Sequence, residues 1–192
     1  MTEPLSSDVV PVVAKRFGFE MRVSGYGLGV KVELVDAERQ TVLGDSYGFA
    51  QPNGVLHWDS IQTRRLSGYY ERRSAARRGL GANAGDGGAK GAVAFGIYGP
   101  SALLAAAMLA WVKESAPFGC HTAEILAIDD DSRQHKVLVR FYKVVGLRQV
   151  RQVDDGFASI PDRLLYGGCG TIMQVPTNTL AISMARMLQQ HE

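Results

Sequence analysis

Val30, Val32 and Leu34 alternate with Lys31 and Glu33, a period of two that buries one face of a strand and predicts a strand over 29–35. A partner strand over 20–24 precedes it, and residues 1–16 read as a polar lead-in around the short apolar patch Val9-Val10-Pro11-Val12-Val13. Asp36-Ala37-Glu38-Arg39-Gln40 turns the chain and residues 41–49 return it. Gln51-Pro52-Asn53-Gly54 is a second turn, because Pro fixes one dihedral and Asn-Gly tolerates positive φ. Residues 55–64 follow as a further strand. The first third of the chain is thus an antiparallel meander.

The period then changes. Leu103, Leu104, Ala107, Met108 and Trp111 recur at helical spacing over 101–114, after the break and cap offered by Gly99-Pro100-Ser101. Ala123-Glu124-Ile125-Leu126-Ala127-Ile128 reads as a buried strand stopped by three aspartates, of which Asp131, or else Ser132 after it, caps the next helix. Val137, Leu138, Phe141, Val144 and Val145 are expected on its inner face, and Gly146 at its C′ position, where positive φ costs glycine little. Residues 147–153 form a strand, 154–170 a long connection and 171–175 a last strand. A C-terminal helix over 177–192 turns Leu180, Met184, Met187 and Leu188 to one side.

Composition narrows the class. The 192 residues suit one domain, and 46% hydrophobic with 21% charged residues excludes wholesale disorder. A net charge of +2 disfavours a dedicated nucleic-acid binder. Cys120 and Cys169 make neither a disulfide framework nor a four-ligand zinc site, so a reducing interior, cytoplasm or organelle stroma, is expected. The first residues lack the basic start and apolar run of a signal peptide. Residues 91–112 carry no charge and are long enough for a membrane span, but Gly96, Gly99, Pro100, Ser101 and seven alanines favour a strand or loop followed by a buried helix. Residues 66–91 read as a flexible insertion. Arg64, Arg65, Arg72, Arg73, Arg77 and Arg78 lie in or beside it, and six glycines occupy positions 79–91. Such a segment suits contact with a protein or an anionic surface.

Arg140-Phe141-Tyr142-Lys143-Val144-Val145-Gly146-Leu147, placed after a strand and a capped helix, resembles the second half of the GNAT superfamily of acyl-CoA-dependent N-acetyltransferases. That family ends the equivalent helix in an Arg-Phe-Tyr-x-x-x-Gly-Phe type sequence. The convincing overlap covers about 30 residues. It implies an α/β fold: a mixed central sheet, antiparallel meander then β-α-β-α-β-β, flanked by helices, in a single domain of residues 1–192 with the Arg/Gly-rich insertion. It also implies acetyl-CoA as co-substrate and a small amine or a protein amine as acceptor, with no metal.

By the same resemblance, the thioester's arm lies where two central strands splay, against the strand that holds Ile61, and its pyrophosphate sits on amides at a helix start, where dipole and unpaired N–H groups meet phosphate. The matching positions are Gly96, Gly99, Ser101 and Ala102, and the family's Asn that contacts the arm falls on His135. Tyr142 matches the tyrosine that protonates the leaving thiolate. A phenol near pKa 10 can do so while neutral. His57 and Asp59, two apart on one strand, share a face and offer a base oriented by a carboxylate.

The residues also admit a non-enzymatic reading. Pro100 removes an amide from the phosphate site, and no Arg or Gln opens the loop. A catalytically degenerate module of the same fold would bind a protein, nucleic-acid or membrane-surface partner. Cys120-His121 is too little for a metal or nucleophile site, Cys169 reads as part of a tight turn, and the Asp129–Asp131 run reads as a cap rather than a metal site.

Overall fold

The alternation in residues 29–35 becomes strand β2 (Gly29–Asp36) of a computed structural model that describes residues 6–63 and 99–189. Val30, Val32 and Leu34 are wholly buried, whereas Lys31 pairs with Glu33 at 2.6 Å on the other face and lies over the Tyr47 ring. Strands β1 (Phe19–Tyr26), β2, β3 (Val42–Ala50) and β4 (Val55–Thr63) form the expected antiparallel meander. β4 then pairs parallel with β5 (Thr122–Ile128), and β7 (Gly170–Pro176) lies antiparallel between β5 and β6 (Arg148–Val153). The seven-stranded order is β1-β2-β3-β4-β5-β7-β6, a mixed sheet flanked by helices, as the resemblance implied. The insertion at 66–91, its arginines, Arg64, Arg65 and Gly96 lie outside the described residues.

One face of the sheet carries the main core. Helix α2 (Gly99–Glu114) crosses it and is buried nearly all round, from Ala102 and Leu103 through Ala110 and Val112, not only along the expected stripe. A helix apolar on every side must lie inside a protein or a membrane. This one packs against β2, β3, β4 and the C-terminal helix α5 (Thr177–Gln189), and its 16 residues span only about 24 Å. No helix among the described residues is long and apolar enough to cross a membrane. Pro100 is tolerated because the first turn needs no intrahelical N–H. In α5, Leu180, Met184 and Leu188 are buried as expected, with Met187 packed beside them.

Three expectations change. The apolar patch near the start is helix α1 (Val9–Arg16): Val10, Val13 and Ala14 recur at helical spacing and are buried, with Pro11 confined to the first turn. Helix α3 (Ser132–Val144) is capped by Asp131, whose carboxylate accepts from the Gln134 amide at 2.7 Å, and Gly146 takes φ +105° just beyond it. Its inner stripe, however, is Leu138, Phe141, Tyr142 and Val145; Val137 and Val144 are 60% and 74% exposed. The helix turns the large aromatics inward because they remove more apolar surface from water than a valine can. Finally, the connection after β6 holds a 3₁₀ turn (Phe157–Ser159) and helix α4 (Ile160–Tyr166), which places Tyr166, Val153, Ile172 and Leu126 together on the opposite face of the sheet. Pro161 in the first turn and Gly167 at φ +76° bound that helix.

Candidate functional site

Tyr47 pairs with Ser60 and Gly48 with Trp58, so Asp59 is left unmatched as a bulge in β4. A bulge bends and twists its strand. Accordingly β4 and β5 are in parallel register only from Val55 and Thr122 to Trp58 and Ile125. Beyond that point β4 continues against β3 alone and β5 against β7 alone. The two central strands therefore part, leaving the V-shaped gap that the resemblance implied. Ser46 braces the bend: its hydroxyl donates to the Ser60 carbonyl at 2.9 Å and accepts from the Trp58 indole N–H at 2.7 Å.

On the helical face the gap opens into a cavity of about 40 Å³. Trp58 and Ile61 of β4, Ile125 of β5, Ser101, Ala102 and Ala105 of α2, Phe141 and Tyr142 of α3, and Met184 of α5 line it. Its volume is a few times the roughly 10–15 Å³ that admits one water. Tyr142 is 7% exposed, and burial pushes its phenol up to about 12. It is therefore neutral and a proton donor across the physiological range.

The opposite face is polar. His57 and Glu124 are neighbours in the parallel register, one residue short of where the strands part. Glu124 is buried and accepts from the Tyr166 hydroxyl and the Gln174 side-chain amide. His57 is 1% exposed, stacked on Phe49 at 4.6 Å and tilted against Tyr166 at 4.7 Å between ring centroids. Its Nδ1 is the buried side-chain nitrogen or oxygen without a hydrogen-bond partner among the described residues. Burial holds the imidazole below its ordinary pKa, against the opposing pull of the Asp59 and Glu124 charges. A neutral imidazole with a free ring nitrogen is a proton acceptor.

The expected site residues separate accordingly. Tyr142, Ile61, Ser101 and Ala102 meet at the gap, and Gly99 is buried one turn away at the start of α2. His57 lies behind the sheet rather than in the cavity. Asp59 does not share its face: the bulge turns Asp59 to solvent, and no hydrogen bond or ion pair joins the two. His135 is held elsewhere, between Asp129 (Nδ1 to Oδ2, 3.2 Å) and the Thr171 hydroxyl (Nε2 to Oγ1, 3.0 Å), in a groove on the far side of α3. Glu124, Gln174, Tyr166 and Phe49 were not singled out from sequence. The available signal was one carboxylate inside the apolar run 123–128 and one amide inside 170–176, both on strands expected to be buried.

No family model matches the chain, and no curated protein is similar to it. Among solved structures, a GNAT-family protein from Desulfovibrio desulfuricans is similar over 78% of this chain and 69% of its own, with 14% identity and a TM-score of 0.42. A ribosomal-protein-S5-alanine acetyltransferase from Vibrio fischeri is similar over 92% of both chains, with 10% identity and a TM-score of 0.36. At those TM-scores neither bears weight; the fold reading rests on this chain's own strand order and on the splay of β4 from β5.

Proposed function

We propose that this chain is an acyltransferase that moves a short acyl group, acetyl above all, from coenzyme A to the nitrogen of a small amine or a protein amine. The observation that carries this reading is the parting of β4 and β5, with a neutral phenol on one side of the sheet and a buried, unpartnered imidazole nitrogen on the other. Acyl transfer to an amine needs those two groups: an acid for the leaving thiolate and a base for the attacking nitrogen.

In this reading the thioester's acyl end fills the small cavity. Its arm lies along β4 beyond Trp58, where the strand has lost its β5 partner among the described residues and can offer backbone groups. Ser101 and Ala102, in the first turn of α2, border that acyl end, and the positive end of the helix dipole favours the phosphates farther along the arm. The acceptor amine approaches from the polar face. Its nitrogen attacks the thioester carbonyl and gives up its proton to His57; the carbon–sulfur bond breaks, and the thiolate takes the proton of Tyr142. Proton exchange with solvent restores both side chains. Glu124, fixed by Tyr166 and Gln174, places negative charge beside the imidazole that becomes cationic.

The deciding experiment follows release of free coenzyme A from acetyl-CoA across a panel of amines, alongside calorimetry with the thioester. Binding and turnover that falls about 10²–10⁴-fold in Tyr142→Phe, with melting unchanged, is expected. Failure to bind acetyl-CoA at millimolar concentration overturns the proposal.

A second reading has one specific support: Pro100, buried in the first turn of α2, withholds an amide from the place where pyrophosphate would sit. On that reading the chain is a non-catalytic module of the same fold that docks a partner. Transfer activity sensitive to Tyr142→Phe eliminates it.

A further inference from the structure

Helix α3 covers β5 and β7 but stops short of the last strand, β6, and the space between them is a groove of about 640 Å³. That size falls within the range of about 300–1,000 Å³ common for ligand clefts. Its charge is one-sided. Lys136, Arg140 and Lys143 stand along the wall, at i, i+4 and i+7 on one stripe of the helix, and no acidic residue lines the groove. All three cations are exposed, and none forms an ion pair among the described residues. The floor is polar. Gln149 and Gln152 pair in register with Met173 and Thr171, so both side chains rise on the helical face of the sheet. His135 closes one end, its ring nitrogens already engaged by Asp129 and Thr171.

From this geometry we propose that the groove between α3 and β6 docks an extended acidic segment of a partner protein. Successive cations lie about 6 Å and about 4.5 Å apart along the helix axis. Carboxylates on alternate residues of an extended strand repeat every ~6.6 Å, a spacing the long lysine and arginine side chains can follow. The two glutamines supply amide donors and acceptors to the segment's backbone. The chain's own Arg-rich stretch at 64–78 is excluded as occupant by like charge. Nucleic acid is disfavoured because no Phe, Tyr or Trp lines the groove to stack a base, and the net charge is only +2. The groove lies on the side of α3 away from the gap, so this docking is independent of acyl transfer.

The test is fluorescence anisotropy on the full chain with a labelled peptide of about ten residues, glutamate alternating with serine, at about 50 mM salt, where the Debye length still lets exposed charges act. Saturable binding is expected, weakening by at least about tenfold in the triple variant Lys136→Gln/Arg140→Gln/Lys143→Gln and several-fold in Gln149→Ala/Gln152→Ala. All five positions are exposed, so unchanged melting is expected in both variants. Three results overturn the proposal: no saturation at millimolar peptide, equal affinity in the triple variant, or tighter binding of an oligothymidylate of similar length than of the peptide.

Discussion

The two faces of the sheet, compared where β4 leaves β5, differ in nearly every physical respect. The helical face offers an apolar cavity with a phenol whose only perturbation is burial. The other face offers a carboxylate with two donors, a histidine between aromatic rings and one unsatisfied nitrogen. The bulge at Asp59 lies between them, where the pairing of the central strands ends. Burial keeps the acid protonated on one face and the base neutral on the other.

The most severe way to break the comparison is to remove one member at a time. Tyr142→Phe and His57→Gln should each lower kcat by about 10²–10⁴-fold, but with different pH profiles. Neutral His57 is the active form, and its pKa is held below 6.5, so the wild-type rate should rise with pH along a limb lying below that value. His57→Gln should abolish the limb and Tyr142→Phe should keep it. Stopped assays between pH 5 and 8 in both variants decide the matter, and a limb that survives in His57→Gln removes this residue as the base.

Next in size is a stability effect confined to the polar face. Glu124→Leu leaves the Tyr166 hydroxyl and the Gln174 amide without their acceptor in a buried place. Unsatisfied buried donors cost about 1–3 kcal/mol each, so urea unfolding should show a loss of about 3 kcal/mol. An equal-sized change on the helical face, Met184→Leu, should cost under about 1.5 kcal/mol because volume and polarity are kept.

These contrasts also explain how much could be read from the residues alone. The meander, the helix over 101–114, the Asp131 cap and the Arg-Phe-Tyr helix all follow from periodicity and capping, which act over a few residues. Tyr142 was legible for the same reason, being fixed by its own helix. His57 was legible as a residue type but not as an environment: its burial depends on Phe49 directly opposite it on β3 and on Tyr166, more than a hundred residues later. The error over Asp59 has the same source. Alternation along a strand assumes regular pairing, and the bulge is set by β3, not by the sequence of β4 alone. Helix α4 was hidden because Ile160, Leu164 and Leu165 are exposed, so apart from Tyr166 its apolar residues point outward and trace no inward stripe.

The perturbed groups make smaller, opposite contributions to stability versus pH. Tyr142 is raised from 10 to about 12, so the folded state keeps the phenol protonated while the unfolded chain ionises it. Stability from this group is full below pH 10 and is lost as pH rises toward 12, by about 2–3 kcal/mol at 1.36 kcal/mol per unit. His57 runs the other way. Its folded pKa is depressed, so its contribution is full above 6.5 and declines as pH falls below that value. Denaturant titrations should show the alkaline loss vanish in Tyr142→Phe and the acid loss shrink in His57→Gln. Neither substitution should alter the other's limb, because the groups lie on different faces.

The smallest effect should come from Asp59→Asn. Asp59 acts on His57 only through charge, from an exposed position, and its attraction for the imidazolium is weaker than the burial that opposes it. Removing that charge should lower the His57 pKa slightly further and move the acidic limb of the rate by a few tenths of a pH unit, with kcat changed less than about threefold, as for screened surface charges. A base oriented directly by Asp59 would instead lose orders of magnitude on the same substitution. The size of the Asp59→Asn effect therefore measures how completely the bulge has uncoupled the two residues, and a large loss would mean that β4 straightens when substrate binds and brings Asp59 back beside His57.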